Sequence, residues 1–312
     1  SRSLDSKRLL VTAYKNDSPT KYFWLDLKAR AGGFWFSQYP YLEGKALGKT
    51  EPFTYTARDG MELHGYLTMP ANLKEGEKPP LIIHPHGGPF GPRDNQNFDY
   101  NVQFMANLGY AVLQPNFRGS GGYGSVYQSA GYKEWGQAMQ DDLYDAIAWL
   151  KQQGSVDTNN ACFVGWSYGG YAALTAAFQK PDDYKCIVSI AGVSDIELHA
   201  DEHSRRRSAL TEFTLQAIGD VNDEHEQAML KNASAINFIN RIKAPILLIH
   251  GKKDTQVHYD QSSSFYDAAK RAKLNVEYLE FKSGTHYLDE YNNRLEAFEE
   301  IEDFLKKHLK AS

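Results

Sequence analysis

Apolar segments of strand length alternate with helical patterns along most of this chain, and this alternation restricts the fold more than any other feature. The apolar segments are nearly continuous: PLIIHPHGG, YAVLQPN, ACFVGWS, CIVSIAG and APILLIHG. Strands have such continuous apolar sequences when helices cover both faces of their sheet. Helical patterns such as those at 140–153 and 169–179 lie between them. We therefore predict an α/β protein with a doubly wound, mostly parallel sheet.

Three short aromatic-rich segments precede this pattern. RLLVTAY, KYFWLDL and GGFWFSQ are predicted to be antiparallel strands, because the turn sequences KNDSPT and KARAGG separate them. Three short strands bury little apolar surface on their own, so they either belong to a larger β-assembly or form a strap on the main domain. Residues 1–48 are predicted to be this β-strand unit with a linker. Residues 49–312 are predicted to be a larger domain, which opens with a hairpin around Asp59-Gly60.

Composition excludes some classes of partner. The 312 residues carry a formal charge of -5 and no long basic block, so no nucleic acid is expected. No apolar run approaches the ~20 residues of a membrane helix, so no membrane partner is expected. The chain begins without a methionine or a signal-peptide pattern, and we predict no compartment. Cys162 and Cys186 lie in apolar segments and are predicted to be buried free thiols.

A G-x-S-x-G sequence joins one strand to one helix. Ser167 lies between Gly165 and Gly169, after the apolar strand ACFVGW and before the helical run GYAALTAA. This strand-turn-helix context is that of a nucleophile elbow. The glycines make room where the backbone doubles back, and the helix N-terminus adds partial positive charge. Ser167 is therefore the predicted nucleophile, and the alternative is a serine in an ordinary connecting loop.

A serine nucleophile needs a base, and the base needs an orienting acid. In this class of fold they follow in the order Ser, Asp or Glu, His. Asp254 follows the strand APILLIHG and His286 follows NVEYLEF, both at strand ends where ligands gather. We predict Asp254 as the acid and His286 as the base. His250 and His258 compete as bases, although packing or local hydrogen bonding is favoured for both.

An oxyanion hole needs two N–H donors that point to one position. The residue after the nucleophile, Tyr168, is predicted to supply the first from its backbone. The second is predicted to come from the glycine-rich loop LIIHPHGGPFGP, from Gly88 in preference to Gly87. The alternative for this loop is a plain Gly-Pro turn.

The segment HADEH, His199–His203, matches the inverted zincin pattern H-x-x-E-H. It leads directly into SRRRS, whose positive charge opposes a bound cation. We therefore expect no metal and no organic cofactor. The segment is predicted to be a charged, mobile insertion over the active-site face, which could also carry groups that contact substrate.

Five motifs together resemble one family. They are HGGP at His86–Pro89, NFRGSGGYG at Asn116–Gly124, GWSYGGY at Gly165–Tyr171, HGKKDTQVH at His250–His258 and GTHYL at Gly284–Leu288. From about Thr50 to its end, the chain resembles the catalytic domain of the prolyl oligopeptidase family of serine peptidases. Its acylaminoacyl peptidase and dipeptidyl peptidase branches are the most similar. The resemblance implies an α/β-hydrolase fold.

The resemblance also implies a substrate pocket and a missing domain. Val193 and Val257 match residues that line the pocket for the side chain before the scissile bond; plain core is the alternative. His86 stands where some members carry a tyrosine that helps the oxyanion, which favours two backbone donors here. The first strands resemble the tail of a β-propeller, so the implied partners are oligopeptide substrates and a propeller in a longer parent chain. Self-association stays open.

These motifs predict a serine peptidase that hydrolyses short peptides through an acyl-enzyme intermediate. A carboxylesterase is the nearer alternative, because the same groups cleave esters. A non-catalytic binding module with a hydrolase fold is the alternative from another class, but the complete set of triad residues and donor loops counts against it.

Overall fold

The computed structural model describes residues 1–205 and 209–310 and contains two separate sheets. The first is an antiparallel meander of three strands: β1 (Arg8–Ala13), β2 (Lys21–Asp26) and β3 (Ala31–Ser37). The Asp26 carboxylate closes the second turn by accepting from the backbone N–H groups of Lys28 and Ala29. The predicted N-terminal β-strands are therefore confirmed.

The second sheet has eight strands in the order β11-β10-β9-β8-β6-β7-β5-β4. The strands are β4 (Lys49–Thr56), β5 (Glu62–Met69), β6 (Pro80–Ile83), β7 (Ala111–Asn116), β8 (Asp157–Trp166), β9 (Cys186–Ile190), β10 (Ile246–Gly251) and β11 (Val276–Phe281). β5 pairs antiparallel with both β4 and β7. All other neighbours in the sheet, from β7 through β6 to β11, pair parallel. The prediction of a mostly parallel sheet is confirmed.

Helices connect the parallel strands. They are α1 (Tyr100–Asn107), α2 (Ser125–Ser129), α3 (Ala138–Gln153), α4 (Tyr168–Gln179), α5 (Ile196–Arg205), α6 (Ala209–Ala217), α7 (Glu224–Asn232), α8 (Asp260–Arg271) and α9 (Tyr291–His308). Short 3₁₀ helices lie at Pro40–Leu42 and Ala235–Arg241. The predicted stop of α3 is correct, because Gly154 caps it with a left-handed φ of 69°. Within the described residues, no helix is long and apolar enough to cross a bilayer.

The core forms two layers, one on each face of the large sheet. Leu81 and Ile83 belong to the larger layer, while Ile82 between them belongs to the other. Side chains alternate between the faces of a strand, so one apolar run supplies both layers. α3, α4 and α8 contribute to the larger layer, and α1 and α9 to the smaller one. This is the two-sided burial that the continuous apolar runs predicted.

The prediction of two free thiols is wrong. Cys162 in β8 and Cys186 in β9 form a disulfide, with their Cα atoms 4.8 Å apart. The two residues are direct partners in the parallel register of these strands, so their side chains lie side by side on one face. The bond connects the strand that leads to Ser167 with its neighbour. A register between strands cannot be read from cysteines 24 residues apart in sequence.

Candidate active site

Ser167 occupies a sharp turn between β8 and α4. Its φ is 58° and its ψ is -121°, a conformation that costs on the order of 1–3 kcal/mol for a residue with a side chain. Its N–H donates to the carbonyl of Ile190 at 2.8 Å. A Cβ on Gly165 would lie 2.1 Å from the oxygen of Gly169, and one on Gly169 would lie 2.2 Å from the oxygen of Pro85. Both glycines of the motif are therefore required by close backbone approach.

Asp254 follows β10 and is held by hydrogen bonds to both of its carboxylate oxygens. Oδ1 accepts from the backbone N–H groups of Gln256 and Val257 at 2.8 and 2.9 Å. Oδ2 lies 2.6 Å from Nδ1 of His286 and 3.2 Å from Nε2 of His250. Burial opposes ionisation, but the hydrogen bonds from the two histidines hold the pKa of Asp254 well below its ordinary value.

The two competing histidines have other partners. His250 is fully buried, and its Nε2 donates to Asp254 and to the carbonyl of Val257 at 3.0 Å, while its Nδ1 lies 2.8 Å from the Ser262 hydroxyl. His250 therefore supports the carboxylate. His258 is half-exposed, and its Nδ1 lies 3.2 Å from a carboxylate oxygen of Asp260.

His286 is only 4% exposed, and it is anchored at both its ring and its backbone. Nδ1 faces Asp254, which leaves Nε2 as the nitrogen that can accept a proton. The backbone carbonyl accepts from the indole N–H of Trp166 at 2.8 Å. Since Trp166 precedes Ser167, the loop of His286 is tied to the serine turn. The structure thus brings the predicted acid and base into contact beside that turn.

Two backbone segments adjoin the serine. Tyr168 is the first residue of α4, so its N–H has no partner within the helix. A Cβ on Gly87 would lie 3.3 Å from Cβ and 3.9 Å from Oγ of Ser167, so the glycine loop packs directly against the serine. Gly88 has a φ of 122°, which only glycine adopts readily, and precedes Pro89 through a cis peptide.

His86 holds this glycine loop, which the sequence did not predict. Its Nδ1 donates to the carbonyl of Gly87 at 2.7 Å, and its Nε2 lies 2.7 Å from the hydroxyl of Ser120. Burial lowers the pKa of His86 to about 4, so the ring is neutral at pH 7. The Ser120 hydroxyl also donates to the backbone carbonyl of Phe117 at 2.7 Å, so it links the His86 ring to the segment after β7. The sequence signal available for the contact between His86 and Ser120 was the joint presence of HGGP and NFRGSGG. The contact itself depends on how the two loops fold.

The peptide between Gly87 and Gly88 is oriented by this contact. The C=O and N–H of a trans peptide point in opposite directions. Because His86 holds the carbonyl of Gly87, the N–H of Gly88 points away from the His86 ring. The imidazole also stacks on Phe117, with ring centroids 4.4 Å apart. His86 is therefore a positioning residue for the loop.

The two valines assigned to a substrate pocket are buried. Val193 is 1% exposed and Val257 is 3% exposed, and both belong to the larger core layer. Val257 also donates its backbone N–H to Asp254. Their side chains pack in the core, so a role in lining a pocket remains a prediction.

HADEH forms part of α5. The ring of His199 lies 6.2 Å from that of Trp135 and 4.4 Å from that of His203, and His199 is 7% exposed. The predicted charged insertion also includes residues 206–208, which lie outside the described residues. Within residues 1–205 and 209–310, no group of three or more His, Cys, Asp or Glu side chains is arranged to hold a metal ion.

The eight-stranded sheet and the serine turn define the chain as an α/β hydrolase. The family model described as "Prolyl oligopeptidase family" matches residues 96–312. The chain therefore belongs to the prolyl oligopeptidase family of serine peptidases, as its motifs predicted.

Known proteins with similar sequences and structures include dipeptidyl and acylaminoacyl peptidases. Dipeptidyl aminopeptidase BIII of Pseudoxanthomonas mexicana is 33% identical over 91% of this chain and 42% of its own length. The human acylamino-acid-releasing enzyme is 25% identical over 80% of this chain and 34% of its own. The Pyrococcus horikoshii acylaminoacyl peptidase structure matches with a TM-score of 0.83 and 26% identity, over 98% of this chain and 49% of that one. The chain thus spans less than half the length of these proteins.

Proposed function

We propose that this chain is the catalytic part of a serine peptidase that cleaves short peptides through an acyl-enzyme intermediate. The observation that carries the proposal is the 2.6 Å contact between Asp254 and His286, on a loop tied to the residue before Ser167. Family membership and the names of the similar peptidases support it. Activity on peptides is proposed for the whole protein, because this chain spans less than half the length of the similar peptidases.

The proposed reaction has two symmetrical steps. The Ser167 Oγ attacks the acyl carbon while His286 Nε2 takes the hydroxyl proton. His286 then gives that proton to the leaving amine as the carbon–nitrogen bond breaks. Asp254 holds the imidazole orientation and stabilises the imidazolium. Water repeats the sequence on the acyl-enzyme, with His286 again first as base and then as acid.

The oxyanion formed in each step is proposed to bind two backbone N–H groups. Tyr168 supplies one from the first turn of α4, where its N–H has no partner within the helix. Gly88 supplies the other from a peptide whose orientation is set by the bond from His86 to Gly87. Donors held in place before the reaction stabilise developing charge without reorganising. Val193 and Val257 are proposed to contribute to the pocket for the side chain before the scissile bond, by packing beneath the residues that form its surface.

A separate proposal concerns the N-terminal unit. We place a domain boundary near residue 48 and assign residues 1–48 to a β-propeller completed by a longer parent chain. Among the described residues, no strand pairing joins the three-stranded sheet to the large one. Several of its aromatic side chains are exposed: Trp24, Phe34, Trp35 and Phe36. Exposed apolar area of this kind is expected where another part of a protein packs.

A fluorophosphonate probe tests the mechanism. Labelling should occur once, at Ser167, and Ser167→Ala should abolish labelling and reduce kcat by several orders of magnitude. Ser129→Ala is the matched control, since Ser129 is exposed in α2 and should leave both unchanged. Labelling at another serine would refute the assignment.

Substrate class is tested by a panel of peptide amides and activated esters. Turnover of amides would support a peptidase, and turnover of esters alone would favour a carboxylesterase. Amides with free and with blocked amino termini separate dipeptidyl from acylaminoacyl cleavage. The panel should also be run on the longer parent chain, because remote contacts with a substrate lower the barrier at the reacting bond.

A further inference from the structure

Tyr287 is a large aromatic side chain exposed next to the predicted base. It is 60% exposed, whereas the residues on either side of it, His286 and Leu288, are 4% and 1% exposed. Its ring meets the His286 imidazole edge-on, with centroids 5.2 Å apart and planes at 82°. Single exposed apolar residues are common on protein surfaces, so exposure alone assigns nothing. The position against the imidazole is what distinguishes this one.

The loop that carries Tyr287 is held in place. Thr285 donates from its hydroxyl to Asp289 at 2.5 Å, and Ser283 donates to Glu290 at 2.9 Å, so two bonds cross the loop around the tyrosine. The buried Leu288 anchors it to the smaller core layer. A ring presented by a braced loop loses little conformational freedom when it binds a ligand, which makes it an effective contact surface.

The chemistry of the base indicates what would lie beside this ring. Under the proposed function, on which this inference rests, His286 Nε2 gives its proton to the leaving amine. The residue that carries that amine must therefore lie within hydrogen-bonding reach of the imidazole. The Tyr287 ring touches the same imidazole and is open to solvent. We therefore expect the leaving residue to pass beside the Tyr287 ring. The proposed oxyanion donors, Tyr168 and Gly88, belong to other segments of the chain.

We infer that Tyr287 is a specificity-determining residue for the amino acid that follows the scissile bond. Its ring provides an apolar, aromatic surface, so it favours aromatic and large apolar side chains at that position. An aromatic contact of this kind corresponds to about a 3- to 10-fold preference. The Tyr287 ring contacts the leaving residue, and it contacts equally an amine that attacks the acyl-enzyme, because attack by the amine is the reverse of its departure.

Partitioning of the acyl-enzyme isolates this contact. The chain is acylated with an activated ester, and phenylalanine amide or glycine amide is added as a competing acceptor near pH 8.5, where the amines are largely unprotonated. The ratio of transfer to hydrolysis is measured within each reaction, so the acyl group and the amount of active enzyme cancel. Wild-type protein should prefer phenylalanine amide about 3- to 10-fold.

Three variants decide the inference. Tyr287→Ala should remove the preference, and Tyr287→Phe should retain it because the ring remains. Tyr291→Ala is the matched control: this tyrosine is 73% exposed at the start of α9, and the preference should be unchanged. A Tyr287→Ala protein that discriminates as well as wild type overturns the inference, as does an equal loss in Tyr291→Ala.

The result separates this inference from the proposed function. If wild-type protein turns over the ester and is labelled at Ser167 but shows no acceptor preference, the inference about Tyr287 fails and the mechanism stands. If neither labelling at Ser167 nor ester turnover occurs, the proposed function fails and this inference fails with it.

Discussion

The indole N–H of Trp166 donates to the backbone carbonyl of His286 across 2.8 Å, so the residue before the proposed nucleophile holds the loop of the proposed base. These residues are 120 positions apart in sequence. The contact fixes the position of the two proposed catalytic loops relative to each other. Small displacements between nucleophile and base are costly in rate, because a reaction depends on near-contact geometry.

Trp166→Phe should lower kcat by roughly tenfold, since it removes the N–H and leaves the His286 carbonyl without this donor. KM should change less, because the variant disturbs the alignment of Ser167 with His286 and removes no group that is proposed to bind substrate. The measurement is steady-state kinetics on an activated ester, with thermal unfolding as a check on the fold.

Trp135→Phe is the matched control for this variant. Trp135 is also buried beside the site, with its ring 4.7 Å from that of Tyr168, but its indole N–H has no hydrogen-bond partner among the described residues. The same substitution there should leave kcat within about twofold, in line with the weak effect of removing an unpaired group. Equal losses in the two variants would show that aromatic volume matters and the hydrogen bond does not.

Asp254→Asn should reduce kcat by about 10⁴-fold. The asparagine oxygen can still accept from Gln256 and Val257, so the loop should keep its shape. Its uncharged amide cannot stabilise the His286 imidazolium. It can also donate to Nδ1 of His286, which would place the ring proton on Nε2, the nitrogen that must accept the serine proton. Kinetics on an ester measure this; a loss below tenfold would contradict the assigned role.

The same carboxylate makes a prediction about stability at low pH. Although burial works against ionisation, hydrogen bonds from His250 and His286 depress the pKa of Asp254 in the folded protein. A depressed pKa stabilises the fold above the ordinary carboxyl pKa of about 4, and that contribution is lost as the pH falls further. Urea unfolding of wild type between pH 3 and 7 should therefore show a steeper acid loss than Asp254→Asn. Parallel curves would exclude this contribution.

Much of the fold and of the candidate site could be predicted from the sequence, because both depend on local patterns. The apolar runs mark β6 to β10 since two-sided burial leaves no polar alternation. Asp254 and His286 could be proposed because each follows a predicted strand, and parallel strands bring their carboxyl ends to one edge of the sheet.

Features that depend on packing between distant segments could not be predicted. The disulfide needs the register of β8 against β9, and apolar sequence does not specify a register. The contact of His86 with Ser120 needs two loops to meet across 34 positions. The deep burial of Val193 and Val257 likewise reflects their tertiary surroundings.

His86→Phe should lower kcat by about tenfold or more while preserving the fold. The phenylalanine ring can keep the stack on Phe117, but it cannot donate to the Gly87 carbonyl, so the Gly88 N–H loses its fixed direction. Loss of one oxyanion donor costs about 10²- to 10³-fold in kcat, which sets the upper bound. Reaction with a fluorophosphonate should slow in parallel. His258→Phe, at a half-exposed position, should leave both rates unchanged; a normal rate for His86→Phe would refute the positioning role.

Asp94→Asn should remove a loss of stability that wild type shows as the pH rises from about 4 to about 8. Asp94 lies on the loop that follows Gly88, and the loop is attached to β7 by Asp94 N–H donating to Asn116 Oδ1 at 2.8 Å and by Asn116 Nδ2 donating to the Asp94 carbonyl at 3.1 Å. Asp94 is half-buried, but its Oδ2 is buried and has no hydrogen-bond partner in the described part of the chain. Burial, and then the nearby Asp99, raise the pKa of Asp94 to about 8, against a weaker opposing hydrogen bond with Gln114.

The sign of this effect follows from proton binding. Between the ordinary carboxyl pKa of about 4 and the folded value of about 8, the folded protein holds a proton on Asp94 that the unfolded chain releases. The free energy of unfolding therefore falls as the pH rises through this range, and an asparagine, which never ionises, abolishes the fall. Urea unfolding from pH 5 to 9 measures it, with Asp267→Asn at an exposed position of α8 as control. Because the same loop carries Gly88, ester turnover by wild type should also decline near pH 8 relative to Asp94→Asn. Superimposable stability profiles for wild type and Asp94→Asn would show that Asp94 is ionised in the folded protein at neutral pH.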